Sequence, residues 1–224
     1  PVHELLGGPV KPDIPVYASA LHPVGAEKVQ AEAKAYVEEG YQAMKMRFPY
    51  GPGHGIDGMR ANEEHVANVR DAVGDDIEIM ADAYMGWDFL YAKKMVKRLE
   101  PYRLAWLEEA FLPDDLNSYA KLRQETSIPI SGGEHEYTRF GFQQIIEKQA
   151  MDIIQPDLRR CGGLSEGRRI CSLALANGIT VIPHAYGPTH IHLALAETAI
   201  PMIEYLPLPC WDDLPDAEVE PIFH

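Results

Sequence analysis

The chain has 224 residues, 46% of them hydrophobic, enough to bury a sizeable core in one α/β domain. Its 34 acidic against 20 basic residues give a formal net charge of −14, which speaks against nucleic acid or an anionic membrane surface as partner. An anionic small molecule stays open, because a bound divalent cation and a few buried basic groups reverse the field locally.

The opening, PVHELLGG, reads as the tail of a helix stopped by glycines, before a Pro-bounded loop, GPVKPDIP. The first residue is Pro rather than an initiator Met, so the chain is expected to start inside a longer protein. Apolar runs then alternate with helix-period segments. The pattern predicts strands over 14–19, 43–47, 78–82, 104–109, 128–132, 152–157, 179–184 and 202–206. It predicts helices near 25–39, 61–73, 88–100, 115–125, 138–149, 163–177 and 188–199. Local signals agree: acid at Glu63-Glu64 suits a first helical turn, and Gly178 follows the run ending at Asn177. Eight strands in strict alternation with seven helices give a parallel (β/α)7β barrel, a TIM-like fold, over 14–206. The stretch 1–13 reads as a junction, and 207–224 as the start of a C-terminal segment. The longest irregular insertion, 48–58, follows the second strand; it either overhangs the catalytic face or is a mobile Gly/Pro surface loop. No apolar run approaches the roughly 18 residues of a membrane span, and no signal-peptide pattern appears. Cys161, Cys171 and Cys210 are odd in number and lack CxxC spacing, so free thiols in a reducing, cytoplasmic setting are expected.

Three acids close successive apolar runs. Asp82 ends EIMAD, Glu108 falls in LAWLEE and Glu134 follows PISGG, 26 residues apart both times. That interval is about one strand, one helix and their loops. Parallel strands joined by helices gather their C-terminal ends on one face, where three carboxylates make an oxygen-rich cage suited to Mg²⁺. The interval selects Glu108 and Glu134 over their neighbours Glu109 and Glu136, and on a strand Glu109 is expected to point away from Glu108. Asp157 and His184 end the next two runs; a His oriented by an Asp is a competent general base near neutral pH. Lys45 and Arg47 alternate on the second strand and so share a face. A guanidinium keeps its proton at any working pH, so Arg47 is not a base. His22, Tyr50 and His54 lie in loops as candidates for hydroxyl contacts, whereas Trp87 and Trp211 read as packing residues.

Taken in order, Lys45-Met46-Arg47, Asp82, Glu108, Glu134, Asp157, His184 and Glu204 resemble the mandelate racemase subgroup of the enolase superfamily. The likeness covers essentially the whole chain and is greatest to acid-sugar dehydratases of the L-rhamnonate dehydratase type. It implies Mg²⁺ on Asp82, Glu108 and Glu134, and an Asp157–His184 dyad that abstracts the proton α to a carboxylate. Lys45 and Arg47 would hold the substrate carboxylate or stabilise enolate charge. Glu204 would be the electrophilic carboxylic acid, its pKa raised by burial so that it can donate. His135 resembles a substrate-contacting His of the rhamnonate-type enzymes. Racemases of the subgroup carry Lys-x-Lys where this chain has Lys45-Met46-Arg47, so the resemblance favours dehydration of a sugar acid. His184 would remove the α-proton to give a Mg²⁺-stabilised enediolate, then protonate the departing β-hydroxyl, leaving a 2-keto-3-deoxy acid. A racemase or epimerase using Lys45 as second base stays open, as does a catalytically silent barrel. The resemblance further implies an N-terminal α+β capping domain, absent from this chain and joined where PVHELLGG stands, and homo-oligomers.

Overall fold

The computed structural model describes residues 1–207, and all eight of its strands run parallel. They are β1 (Val16–Ser19), β2 (Ala43–Arg47), β3 (Glu78–Asp82), β4 (Leu107–Glu108), β5 (Ile130–Gly132), β6 (Ile153–Ile154), β7 (Thr180–Val181) and β8 (Ile203–Tyr205). A short α1 (Val2–Leu5) precedes them. The helices between strands are α2 (Ala26–Glu38), α3 (Gly55–Val73), α4 (Phe89–Leu99), α5 (Leu116–Arg123), α6 (Thr138–Glu147), α7 (Gly163–Ala176) and α8 (Pro188–Ala196). This is the expected (β/α)7β alternation. Neighbours in the sheet run β7-β6-β5-β4-β3-β2-β1-β8, so the sheet curls until its last strand lies beside its first. Among the described residues no ladder joins β7 to β8. The seam is crossed instead by the Ala185 N–H, which donates to the Glu204 carboxylate at 2.5 Å.

The ladders are shorter than the apolar runs predict, and proline explains much of the difference. Pro156 and Pro183 have no N–H to donate, so regular pairing in β6 and β7 stops early. Extended backbone nevertheless continues: Ile182 N–H reaches Ile154 O at 3.0 Å, and His184 N–H reaches Pro156 O at 3.3 Å. Those bonds carry the register out to Asp157 and His184.

Strand periodicity divides the side chains between two cores. One set packs under the helices. The other fills the barrel: Tyr17, Ala43, Met80, Trp106 and Ile182 form a separate buried cluster, with Ile153 and Met202 against it. Two residues further along the same strands come Ser19, Lys45, Asp82, Glu108, Gln155, His184 and Glu204, so a polar layer sits directly above an apolar floor. Asp88 and Asp115 cap α4 and α5 through the N–H groups of Tyr91 and Ser118.

The insertion at 48–58 is neither irregular nor loose. A 3₁₀ turn spans Pro52–His54 and α3 starts at Gly55, earlier than the predicted 61. Asn62 lies inside the helix, buried, and its amide donates to the Tyr50 carbonyl at 2.8 Å. Trp87 Nε1 donates to the same carbonyl at 2.9 Å, and the Trp87 ring packs on Phe48 and Tyr91, as expected of a packing residue. Cys161 and Cys171 are buried free thiols; Cys210, Trp211 and the rest of the C-terminal segment from 208 lie outside the described residues. No helix among the described residues is long and apolar enough to cross a membrane.

A Cβ on Gly51 would stand 2.4 Å from the Gly86 carbonyl oxygen, backbone against backbone, whereas one on Gly53 would meet nothing within 4 Å. Gly51→Ala is therefore expected to cost about 1–3 kcal/mol in chemical denaturation, with Gly53→Ala much nearer neutral as its control.

Candidate active site

Lys45 stands at the centre of the polar layer, 1% exposed. Its ammonium contacts Glu108 closely and lies 3.0 Å from Glu204, above the Tyr17 ring at 5.7 Å. Burial works to lower its pKa, but Glu108 and Glu204 outweigh that and hold it well above the usual lysine value. The second oxygen of Glu108 accepts from Trp106 Nε1 at 2.9 Å and Gln155 Nε2 at 2.8 Å. Asp82, ladder partner of Glu108, accepts from Arg47 at 2.7 Å and from the Tyr84 N–H at 2.8 Å. Burial and the nearby Glu108 charge nevertheless push its carboxyl up to about 7, against the pull of Lys45 and Arg47.

Beside this layer lies the His–Asp pair. His184 Nδ1 is 3.0 Å from Asp157 Oδ2, which leaves Nε2 facing the carboxylates, 3.2 Å from Glu134 and 4.0 Å from Glu204. Burial lowers the His184 pKa, but Asp157, Glu204 and Glu134 outweigh it, so the imidazole titrates above its ordinary value. Asp157 is fully buried, and burial alone would raise its pKa. Hydrogen bonds from His184 and Arg159, with His190 Nε2 3.8 Å away, reverse this and hold it far below the usual carboxylate range.

Two expectations are corrected here. Glu204 is not raised: burial favours its neutral form, but Lys45, His184, Ser19 and the Ala185 N–H take it down to about 2. Glu109 does not point away from the site. Regular pairing in β4 ends at Glu108, and a φ of 42° at Glu109 breaks the pleat and turns its side chain inward. There it is 2% exposed and 3.0 Å from His135 Nδ1, and burial with Glu134, Asp82 and Glu108 pushes it up to about 9.

The loop candidates are placed less decisively. His22 is half-buried, its pKa lowered by burial and by the Arg47 charge. The exposed Tyr50 and His54 rings pack on one another at 5.0 Å, and His54 hydrogen-bonds Gly51. Among the described residues no hydrogen bond joins either ring to the carboxylate layer. Sequence reasoning missed Arg159, whose guanidinium takes both oxygens of Asp157 at 3.0 and 2.8 Å, and Arg160, 3.3 Å from Glu134. The Arg pair directly after Asp157 was the available signal.

Asp82, Glu108 and Glu134 thus stand at the ends of β3, β4 and β5, adjacent in the sheet, each held by its own cation. An all-oxygen set of this kind suits a hard divalent ion such as Mg²⁺. The raised Asp82 carboxyl marks a shortage of positive charge, which such an ion would fill.

Residues 28–221 match the model of the enolase C-terminal domain-like family. The chain belongs to that family. It is 36% identical over 208 residues to an L-rhamnonate dehydratase of Saccharopolyspora erythraea, covering 92% of this chain but 51% of the relative. The rhamnonate dehydratase of Gibberella zeae, solved with Mg, is 35% identical with a TM-score of 0.82, over 92% of this chain and 48% of that one. A racemase of Streptomyces coelicolor A3(2) with bound magnesium is 27% identical with a TM-score of 0.84, over 92% and 60%. The chain therefore spans about half the length of the curated relative it matches. Family membership agrees with the barrel and with the resemblance read from the strand-end residues.

Because the Asp157 carboxyl titrates lower when folded than when unfolded, its stabilisation is present above about pH 4 and is lost as pH falls toward the folded value. Asp157→Asn is expected to cost about 1–3 kcal/mol at pH 7 by urea denaturation, with the gap from wild type closing below about pH 4.

Proposed function

We propose that this chain supplies the catalytic barrel of a Mg²⁺-dependent acid-sugar dehydratase acting on L-rhamnonate or a stereochemical relative. The observation that carries the reading is one imidazole, His184, fixed at Nδ1 by Asp157 with its Nε2 toward Glu134. Held by Asp82, Glu108 and Glu134, Mg²⁺ would polarise the substrate carboxylate and acidify its α-proton. His184 Nε2 takes that proton, and Asp157 stabilises the imidazolium. The same imidazolium then gives the proton to the β-hydroxyl leaving as water, and the resulting enol tautomerises to a 2-keto-3-deoxy acid. Arg47 and Lys45 donate to anionic oxygens of the substrate. Glu204, ionised at neutral pH, positions Lys45 rather than donating a proton. His22, Tyr50, His54 and His135 remain the candidates for hydroxyl contacts.

Support for dehydration over racemisation comes from the second strand. Two-base racemisation needs a base opposite His184. Arg47 keeps its proton, and Lys45 is an ammonium buried between two carboxylates.

The test is a screen of L-rhamnonate and stereoisomeric aldonates with Mg²⁺, scoring 2-keto acid with semicarbazide. At least one aldonate is expected to give product, and His184→Asn to lower the rate by about 10²–10⁴-fold. Exchange of the α-proton in D₂O without any 2-keto acid would point to a racemase or epimerase and overturn the reading.

Mg²⁺ is also expected to raise the melting temperature, and Asp82→Asn to remove most of that shift. A wild-type chain whose melting ignores Mg²⁺ would favour the silent barrel.

A further inference from the structure

Glu109 has no part in the reaction proposed above, yet it is buried in the barrel mouth beside the acids that do. It is 2% exposed, and its Oε2 is buried with no hydrogen-bond partner. Its other oxygen lies 3.0 Å from His135 Nδ1, and the same nitrogen is 3.7 Å from Glu134 Oε1. Among the described residues, Glu109, Glu134 and His135 are the one trio of metal-ligating side chains whose donor atoms all lie within 4.8 Å of one another.

We propose that Glu109, Glu134 and His135 form a second cation site, for a borderline first-row divalent metal such as Zn²⁺, beside the all-oxygen set. The donor chemistry separates the two. Asp82, Glu108 and Glu134 offer oxygen alone, which suits Mg²⁺, whereas an imidazole nitrogen with two carboxylates suits Zn²⁺ or Co²⁺. The positive φ at Glu109 turns its carboxylate into this corner, and the unpartnered buried oxygen is the kind of group an ion satisfies. Tyr84 packs edge-on to His135, its ring centroid 6.2 Å away, while the His135 side chain keeps 26% of its surface exposed, so the corner is walled on one side and open at the imidazole. Glu134 belongs to both sets. A metal bound at the nitrogen-containing site therefore competes with Mg²⁺ for that carboxylate. The site stands on this geometry and does not depend on the dehydratase reading.

The test titrates the full chain with Co²⁺, whose visible absorption reports nitrogen and oxygen ligation, and measures the Mg²⁺-induced melting shift in parallel. We expect His135→Gln and Glu109→Gln each to weaken Co²⁺ binding by about tenfold or more while keeping the Mg²⁺ shift. Asp82→Asn is expected to do the reverse, so a failure of the Mg²⁺ reading is seen separately from a failure of this one. Glu109→Gln removes a buried carboxylate that lacks counter-charge and is expected to melt no lower than wild type; it decides the matter if His135→Gln folds poorly. Co²⁺ affinity unchanged in both variants, or no Co²⁺ binding by the wild-type chain, would overturn the proposal.

Discussion

A lysine ammonium with 1% of its surface exposed is tolerated only where carboxylates meet it, and the barrel is arranged around meeting Lys45. Glu108 comes to it from β4 and Glu204 from β8, so one charge on β2 ties strands from across the sheet. Removing one partner of such a buried set costs about 3–5 kcal/mol, a large share of the roughly 5–15 kcal/mol of a whole domain. The neighbours serve the same arrangement. Trp106 and Gln155 fix Glu108, and Glu204 also takes the Ala185 N–H, the contact that spans the β7–β8 seam.

The apolar floor under this layer is part of the electrostatics. Tyr17 and Trp106 meet edge to face at 5.4 Å just below Lys45, and they keep water from beneath the ion pairs. Trp106 does both jobs, its ring in the apolar cluster and its Nε1 on Glu108. Low polarity below strengthens every charge interaction above, which is why pKa values in this layer move so far in both directions.

The alternation of strand and helix was legible because a parallel barrel buries both faces of each strand, leaving apolar runs separated by amphipathic helices. Eight strand-end polar residues could be placed because the side-chain period of two keeps Lys45 and Arg47, or Trp106 and Glu108, on one face. What failed to show were breaks in that period. The turn at Glu109 depends on where the ladder stops, and nothing in Leu107-Glu108-Glu109 marks the positive φ. The insertion at 48–58 looked loose by composition, but its order comes from Asn62 and Trp87 converging on the Tyr50 carbonyl, contacts between distant segments. Glu204 was misjudged for a related reason. Burial was foreseeable, but the Lys45 ammonium at 3.0 Å reverses its effect and is visible only in three dimensions.

The ionic balance of the mouth follows from the same contacts. Asp82, Glu108, Glu109, Glu134, Asp157 and Glu204 are six buried acids, and Lys45, Arg47, Arg159 and Arg160 are the four permanent cations paired within the cluster. Four charges cannot hold six carboxylates ionised in a low-dielectric site, and the shortfall falls on particular residues. Asp82 rises to about 7 and Glu109 to about 9, while Asp157, gripped by Arg159, and Glu204, 3.0 Å from Lys45, stay low. His184, its own pKa raised, makes up part of the difference when protonated. A divalent ion brings two charges, the size of the deficit, and would let His184 lose its proton without leaving the carboxylates unbalanced. The supply of positive charge thereby links the acids of the mouth to the protonation of His184, whose Nε2 lies 3.2 Å from Glu134.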